Sequence, residues 1–149
     1  MRQVAEIKAA YDWMIAKHNT DYADALAANH QNALERLESH QDQLDRGVFV
    51  LLFAQFEVAV TERFERTRTA RQANPDWTTR RGWDTLEVRR KRPPFETRLA
   101  LTLDRDCPEF GEVIAAYKFR NDCAHGRTAT PVGSIDQLVR DLFRWQAAL

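Results

Sequence analysis

The chain has 149 residues, of which 44% are hydrophobic and 30% charged, and its formal net charge at pH 7 is zero. This length and composition predict one soluble domain with a buried core and exclude a disordered chain. A net charge of zero excludes a general attraction to nucleic acid, so any contact with a polyanion must be local. Because only five glycines and five prolines interrupt it, we expect the chain to be mostly helical.

Hydrophobic residues at spacings of three and four predict helices along the first third of the chain. A first helix contains Val4, Ile7 and Tyr11, and the apolar stripe continues to about Asp45. Residues 19–21 either cap a second helix there or lie within one longer helix.

Gly47 precedes the most hydrophobic segment, residues 48–64. Its apolar residues spread over a wide face, so we expect it to begin the central, buried helix. Glu57 interrupts this segment, and burying a lone carboxylate is costly. It either faces a polar cleft near an arginine or points into water, and we favour the second interpretation.

Residues 72–94 combine tryptophans with arginines and show little periodicity, which predicts an irregular insertion in the domain. Aromatic and cationic side chains in alternation suit RNA, since bases stack on the rings and phosphates bind the cations. The alternative is a long loop attached to the core by its tryptophans. The candidate RNA-binding residues, with one arginine from a later segment, are Trp77, Arg80, Arg81, Trp83, Arg89, Arg90, Lys91, Arg92 and Arg127.

The second half predicts three further helices. One runs from about Pro94 to Leu103, and Pro108 fits the first position of the next, which Gly126 ends. A Ser-x-x-Gln capping box at Ser134 begins the last helix. Its expected apolar face is Ile135, Leu138, Val139, Leu142 and Phe143, with Trp145 nearby. The fold class expected is therefore an all-α, up-and-down bundle of about five helices.

The cysteines and histidines indicate in which cellular compartment the protein works and whether it binds a metal. Cys107 and Cys123 form no Cys-x-x-Cys pair, which favours free thiols in a reducing compartment. Charges near the N-terminus do not fit a signal peptide, and no uncharged run is long enough for a bilayer. We therefore expect a cytoplasmic protein without a membrane contact. No His-x-x-x-His pair and no glycine-rich phosphate loop occurs, so we expect neither a metal nor a cofactor.

The segment from Arg120 to Gly126, Arg-Asn-Asp-Cys-Ala-His-Gly, offers the most reactive chemistry of the chain. Arg120 is a permanent cation suited to a phosphate, and a histidine such as His125 exchanges protons near neutral pH. On an ideal helix the two lie about 140° apart, so they converge only if the last turn tightens or unwinds. The alternative is a helix end stabilised by charges, with Arg120 paired to Glu112 or another acid.

RNA cleavage without a metal needs a base for the 2′-hydroxyl proton, an acid for the leaving 5′-oxygen and a cation for the phosphorane. One histidine and one arginine do not easily fill all three roles. Two copies of the segment facing each other would, which predicts a homodimer.

An all-helical domain with Arg-x4-His at the end of its penultimate helix resembles the HEPN superfamily. The form Arg-Asn-x-x-Ala-His-Gly is similar to that of HEPN ribonucleases of toxin-antitoxin and other defence systems. The resemblance implies a metal-independent endoribonuclease that acts as a homodimer and leaves 2′,3′-cyclic phosphate and 5′-hydroxyl ends. Arg120 would hold the phosphate, Asn121 would orient the site and His125 would be the acid-base. Glu57 resembles an acidic position that some members have near the site.

Two other functions remain open at this point. One is a non-catalytic HEPN-type module that binds RNA or a nucleotide through the same cleft. The other is an interaction protein held inactive by an antitoxin or another regulatory protein.

Overall fold

The computed structural model describes residues 2–88, 93–128 and 130–149. Within these ranges the chain forms six α-helices and no strand, which confirms the all-α class with one helix more than expected. In chain order the helices are α1 Arg2–Ala27, α2 Gln31–Gln72, α3 Trp77–Val88, α4 Phe95–Ala100, α5 Pro108–Ala124 and α6 Ile135–Ala148.

α1 and α2 form a helical hairpin, and residues 19–21 lie within α1 instead of capping a second helix. Asn29 has a φ of 52°, and the His30 N–H donates to the Ala25 carbonyl at 3.0 Å. This is the Schellman arrangement that ends many helices. α2 then runs straight through Gly47, where we had expected a helix to begin. A glycine inside a helix costs only about 1 kcal/mol, and burial of the apolar residues that follow outweighs that cost.

α2 is the central helix, as predicted, and it packs against each of the other five described helices. Its phenylalanines Phe53, Phe56 and Phe64 are fully buried. At α1, the Tyr11 hydroxyl donates to the Asp45 carboxylate at 2.8 Å and joins the two helices of the hairpin. Every other element is therefore positioned relative to α2.

The region 72–94 was predicted to be irregular, and this is wrong for Trp77–Val88, which form α3. Asp76 caps the helix by accepting hydrogen bonds from the backbone N–H groups of Thr78 at 3.2 Å and Thr79 at 2.9 Å. These bonds hold the pKa of the Asp76 carboxyl below its ordinary value, with the Thr79 hydroxyl contributing most. The Asn-Pro-Asp turn before Trp77 is a helix-start signal that outweighs the weak apolar periodicity.

The C-terminal half follows the predictions closely. α4 with its following turn buries Phe95, Leu99 and Leu103, and Pro108 is the first residue of α5. The Ser134 hydroxyl accepts from the Gln137 N–H at 3.3 Å. The Gln137 side chain binds Asp141 and Arg140 instead of completing the capping box.

One residue of the expected apolar face of α6 is misplaced. Phe143 is 47% exposed, whereas Trp145 is 4% exposed. Ile135, Leu138, Leu142 and Trp145 follow one another at spacings of three, four and three, so they share the inner face of the helix. Phe143 lies about 100° away from Leu142 around the helix and faces outward.

Candidate functional site

The end of α5 is a regular Schellman motif. Gly126 has a φ of +63°, its N–H donates to the Cys123 carbonyl at 3.2 Å, and the Arg127 N–H donates to the Asp122 carbonyl at 2.8 Å. His125 is the C-cap residue, and its own N–H still donates to the Asn121 carbonyl at 3.1 Å. The last turn therefore stays helical instead of unwinding, and Gly126 stops the helix as predicted.

Arg120 projects from this turn into a polar contact with α2. Its Nη2 atom donates to Glu57 Oε2 at 3.3 Å and its Nη1 atom donates to Asn121 Oδ1 at 3.0 Å. The Arg120 side chain is only 26% exposed, and its Nε atom is buried without a hydrogen-bond partner among the described residues. The guanidinium group is thus held in one orientation by two oxygens.

Glu57 faces this cleft, so our preference for a carboxylate pointing into water is wrong. Its side chain is 22% exposed. Burial raises the pKa of the Glu57 carboxyl above its ordinary value, although the guanidinium groups of Arg120 and Arg98 act in the opposite direction. The carboxylate is therefore partly desolvated between two cations.

A groove of about 410 Å³ opens beside Glu57, between α2, α4 and α5. Arg98 lines it, donating from Nη1 to the Thr61 hydroxyl and from Nε to the Pro93 carbonyl at 3.1 Å. The sequence did not indicate Arg98 or Thr61, because each lies on a helix with no motif around it. Thr61 lies one turn after Glu57 on α2, and the packing of α4 on α2 brings Arg98 next to both.

His125 is exposed, and its imidazole makes no hydrogen bond within the part of the chain that is described. Since α5 is regular through Ala124, the directions of Arg120 and His125 differ by about 140° around the helix axis. Asn121 and His125 differ by only about 40° and share a face. The chain therefore groups Arg120, Asn121 and Glu57, and His125 lies exposed at the end of α5.

Arg46 of α2 supports the segment that follows the motif. Its Nη1 atom donates to the Thr128 carbonyl, and its Nε atom donates to Asp42 at 2.8 Å. The Arg46 side chain is 16% exposed. The contact spans 82 residues of sequence and attaches the chain after Gly126 to the central helix.

Glu112 does not pair with Arg120, as the alternative of a helix end stabilised only by charges had suggested. Glu112 accepts hydrogen bonds from Arg144 at 2.5 Å and from the Trp145 indole at 2.8 Å, so it belongs to the α5–α6 contact. Arg144 and Trp145 hold the pKa of the Glu112 carboxyl below its ordinary value. The carboxylate that pairs with Arg120 is Glu57.

The candidate RNA-binding residues differ in what they contact. Trp83 packs on Phe64 with ring centroids 6.1 Å apart, which supports the alternative in which tryptophan attaches this region to the core. Trp77 is 60% exposed, and the Arg81 guanidinium lies 5.4 Å from its ring centroid. Arg80 donates to Asp84 at 3.3 Å. Arg127 is exposed, while the predictions at Arg89, Arg90, Lys91 and Arg92 lie outside the described residues.

Within residues 2–88, 93–128 and 130–149, no group of three His, Cys, Asp or Glu side chains is arranged to hold a metal ion. The same ranges contain no helix long and apolar enough to cross a membrane. Comparison of the chain with protein-family models, with curated proteins and with solved structures finds no match.

Proposed function

We propose that the protein is a HEPN-type endoribonuclease that cuts RNA without a metal and acts as a cytoplasmic homodimer. The observation that carries the proposal is the arrangement at the end of α5. There, a guanidinium group is oriented by Glu57 and Asn121, and an exposed imidazole follows at the helix end. Orientation of a cation by fixed partners is what electrostatic stabilisation of a transition state requires.

In the proposed reaction the 2′-hydroxyl oxygen attacks the adjacent phosphorus, and the bond from phosphorus to the 5′-oxygen breaks. One His125 takes the proton of the 2′-hydroxyl, and a second His125 gives a proton to the leaving oxygen. Arg120 donates hydrogen bonds to the non-bridging oxygens, where negative charge accumulates. The products are a 2′,3′-cyclic phosphate and a 5′-hydroxyl end.

A homodimer follows from this chemistry. Each subunit supplies one imidazole at the motif, whereas the reaction uses an acid and a base. In addition, Arg120 and His125 of one α5 point about 140° apart. We propose that one phosphate lies between the two copies of His125, where an Arg120 guanidinium donates to its non-bridging oxygens.

The first test is cleavage of a panel of single-stranded RNAs by the wild type and by His125→Ala. We expect His125→Ala to abolish cleavage while thermal unfolding and dimer mass stay unchanged, because its side chain is exposed. His40→Ala, an exposed histidine on α2, is the matched control and should cut like the wild type. Equal cleavage by His125→Ala, or no cleavage by the wild type on any RNA, would contradict the enzyme proposal.

The second test concerns the shared site. Arg120→Ala and His125→Ala are each expected to be inactive as homodimers. Wild-type and His125→Ala subunits with different affinity tags are co-expressed and purified as the mixed dimer, which retains only one of the two imidazoles. Loss of nearly all cleavage in the mixed dimer supports a site made by both subunits, and about half of the wild-type rate in a verified mixed dimer would contradict it.

A non-catalytic RNA-binding module is the second candidate, and the Arg120–Glu57 ion pair favours it. A guanidinium already engaged by a carboxylate has less charge to offer a transition state. This module would bind RNA with an affinity that falls with salt and with Arg120→Ala, without cleavage in any variant. Under either function, we propose that the protein is a toxin or defence effector and that a regulatory protein, such as an antitoxin, restrains it.

A further inference from the structure

The groove beside Glu57 lies next to the motif, in the direction of α4. Tyr117 lines it and precedes Arg120 by three residues on α5, a rise of about 4.5 Å along the helix. Glu57 lines the same groove and accepts the hydrogen bond from Arg120. A ligand in the groove would therefore lie beside Glu57, the residue that pairs with Arg120, and next to the proposed phosphate position.

Part of the groove lining is apolar. Val58 belongs to this part and is 52% exposed. Tyr117 stacks on the buried ring of Phe95 with centroids 4.5 Å apart, so its ring is fixed in place. A fixed aromatic ring and an exposed aliphatic side chain in one groove suit a flat, weakly solvated group such as a nucleobase.

Other lining residues are polar and carry both signs of charge. Glu62 is exposed on α2, and its carboxylate makes no ion pair or hydrogen bond among the described residues. Contacts to Thr61 and Pro93 fix the plane of the Arg98 guanidinium, which lines the same groove from α4. The groove therefore presents an acceptor of two hydrogen bonds together with an oriented donor group.

We propose that this groove binds a guanine base of the RNA, in the nucleotide next to the cleaved phosphate. Guanine carries two adjacent donors, N1–H and the N2 amino group, which a carboxylate such as Glu62 accepts together. It also carries two acceptors, O6 and N7, which match an arginine. Uracil and cytosine lack both pairs, because neither has an N7 or two adjacent donors, and adenine presents a donor where guanine presents O6.

The volume and the charges agree with a base rather than with a phosphate. Glu57 and Glu62 oppose Arg98 among the lining residues, so the groove offers no net positive charge to an anion. A volume of about 410 Å³ lies within the range of small-molecule sites, which begins at roughly 300 Å³. In this arrangement Arg120 binds the phosphate, and the groove beside Glu57 binds the base.

This inference rests on the proposed function for its biological meaning, but its test does not require cleavage. In the full-length His125→Ala protein, binding of guanosine, adenosine, cytidine and uridine 5′-monophosphates is measured by calorimetry. We expect guanosine monophosphate to bind about tenfold more tightly than the others, since a paired set of hydrogen bonds to a base discriminates by about fivefold to a hundredfold. Glu62→Gln should reduce this preference to less than twofold, while Glu35→Gln, an exposed glutamate at the other end of α2, should keep it.

Four outcomes decide the two proposals separately. A guanine preference that depends on Glu62, with no cleavage by the wild type, retains the groove and removes the nuclease. Cleavage by the wild type with equal binding of the four nucleotides overturns the groove alone. A guanine preference that is unchanged in Glu62→Gln also overturns the groove proposal. Weak and equal binding of the four nucleotides overturns it too, because such binding depends on the phosphate that they share. Backbone amide shifts of residues near Val58 on adding guanosine monophosphate locate the site, and shifts confined elsewhere would contradict it.

Discussion

Glu57 and Arg120 lie 63 residues apart in the chain, yet Arg120 Nη2 donates to Glu57 Oε2 at 3.3 Å. Their side chains are 22% and 26% exposed, so both charges are largely removed from water. A charge buried in this way is costly without its partner. The ion pair therefore ties the last turn of α5 to the central helix and orients the guanidinium at the proposed site.

The first prediction is that these two residues are energetically coupled. Arg120→Ala leaves the Glu57 carboxylate without its ion pair and should lower the free energy of unfolding by about 1–3 kcal/mol at pH 7. Adding Glu57→Gln removes the stranded charge, so the double variant should lose less than the sum of the single losses. Urea unfolding of the four proteins measures this coupling. Strictly additive losses would show that the pair does not act as a unit.

The second prediction concerns pH. Because burial raises the pKa of Glu57 in the folded protein, the folded state holds this proton more tightly than the unfolded state does. The resulting stability is complete below the ordinary pKa of glutamate and is lost as the pH rises through the folded pKa. Glu57→Gln does not titrate, so its free energy of unfolding relative to the wild type should increase from pH 4 to pH 7.

Glu112→Gln is the control with the opposite sign. Arg144 and Trp145 hold the pKa of Glu112 below its ordinary value, so that its stabilisation is present at higher pH and lost as the pH falls through the folded pKa. Relative to the wild type, this variant should become less stable as the pH rises from about 3 to the ordinary pKa of glutamate, and should stay level above it. Urea unfolding at four pH values checks both variants, and slopes of the same sign would contradict the assignment.

The third prediction compares two glycines whose added Cβ atom would meet nothing within 4 Å. Gly126 has a φ of +63°, which costs an alanine about 1–2 kcal/mol. Gly126→Ala should therefore destabilise the protein by about that amount and disturb the position of His125. Gly47 lies inside α2, where Gly47→Ala should stabilise the protein by about 0.5–1 kcal/mol. Thermal unfolding distinguishes the two, and equal effects would be inconsistent with the Schellman end of α5.

The fourth prediction assigns Arg46 a positioning role for His125. Arg46→Met removes the hydrogen bond to the Thr128 carbonyl and releases the segment after Gly126. Under the proposed function, we expect kcat to fall while KM changes little, since the Arg46 guanidinium is already bound by Asp42 and Thr128. Arg36→Met, on the same helix with its only described contact to the Asn32 carbonyl, is the control and should keep the wild-type kcat. Equal falls in kcat in the two variants would contradict the positioning role.

The sequence alone predicts features that depend on neighbouring residues. Pro108 begins α5 and Gly126 ends it, because each acts through its own backbone within one turn. The all-α class and the buried face of residues 48–64 follow from periodicity in the same local way. The errors at Gly47 and at Trp77–Val88 arose where two local signals competed and burial or a cap decided.

The tertiary structure alone decided which residues surround the motif. Arg120 had Glu57, Glu112 and other acids as potential partners, and only the packing of α5 on α2 selected Glu57. The packing of α4 on α2 likewise brought Arg98 beside Glu57 and made the groove. A side chain reaches a few ångströms, so its distant partners depend on how whole helices pack. The sequence by itself determined the chemistry available at the end of α5, and the fold determined what that chemistry faces.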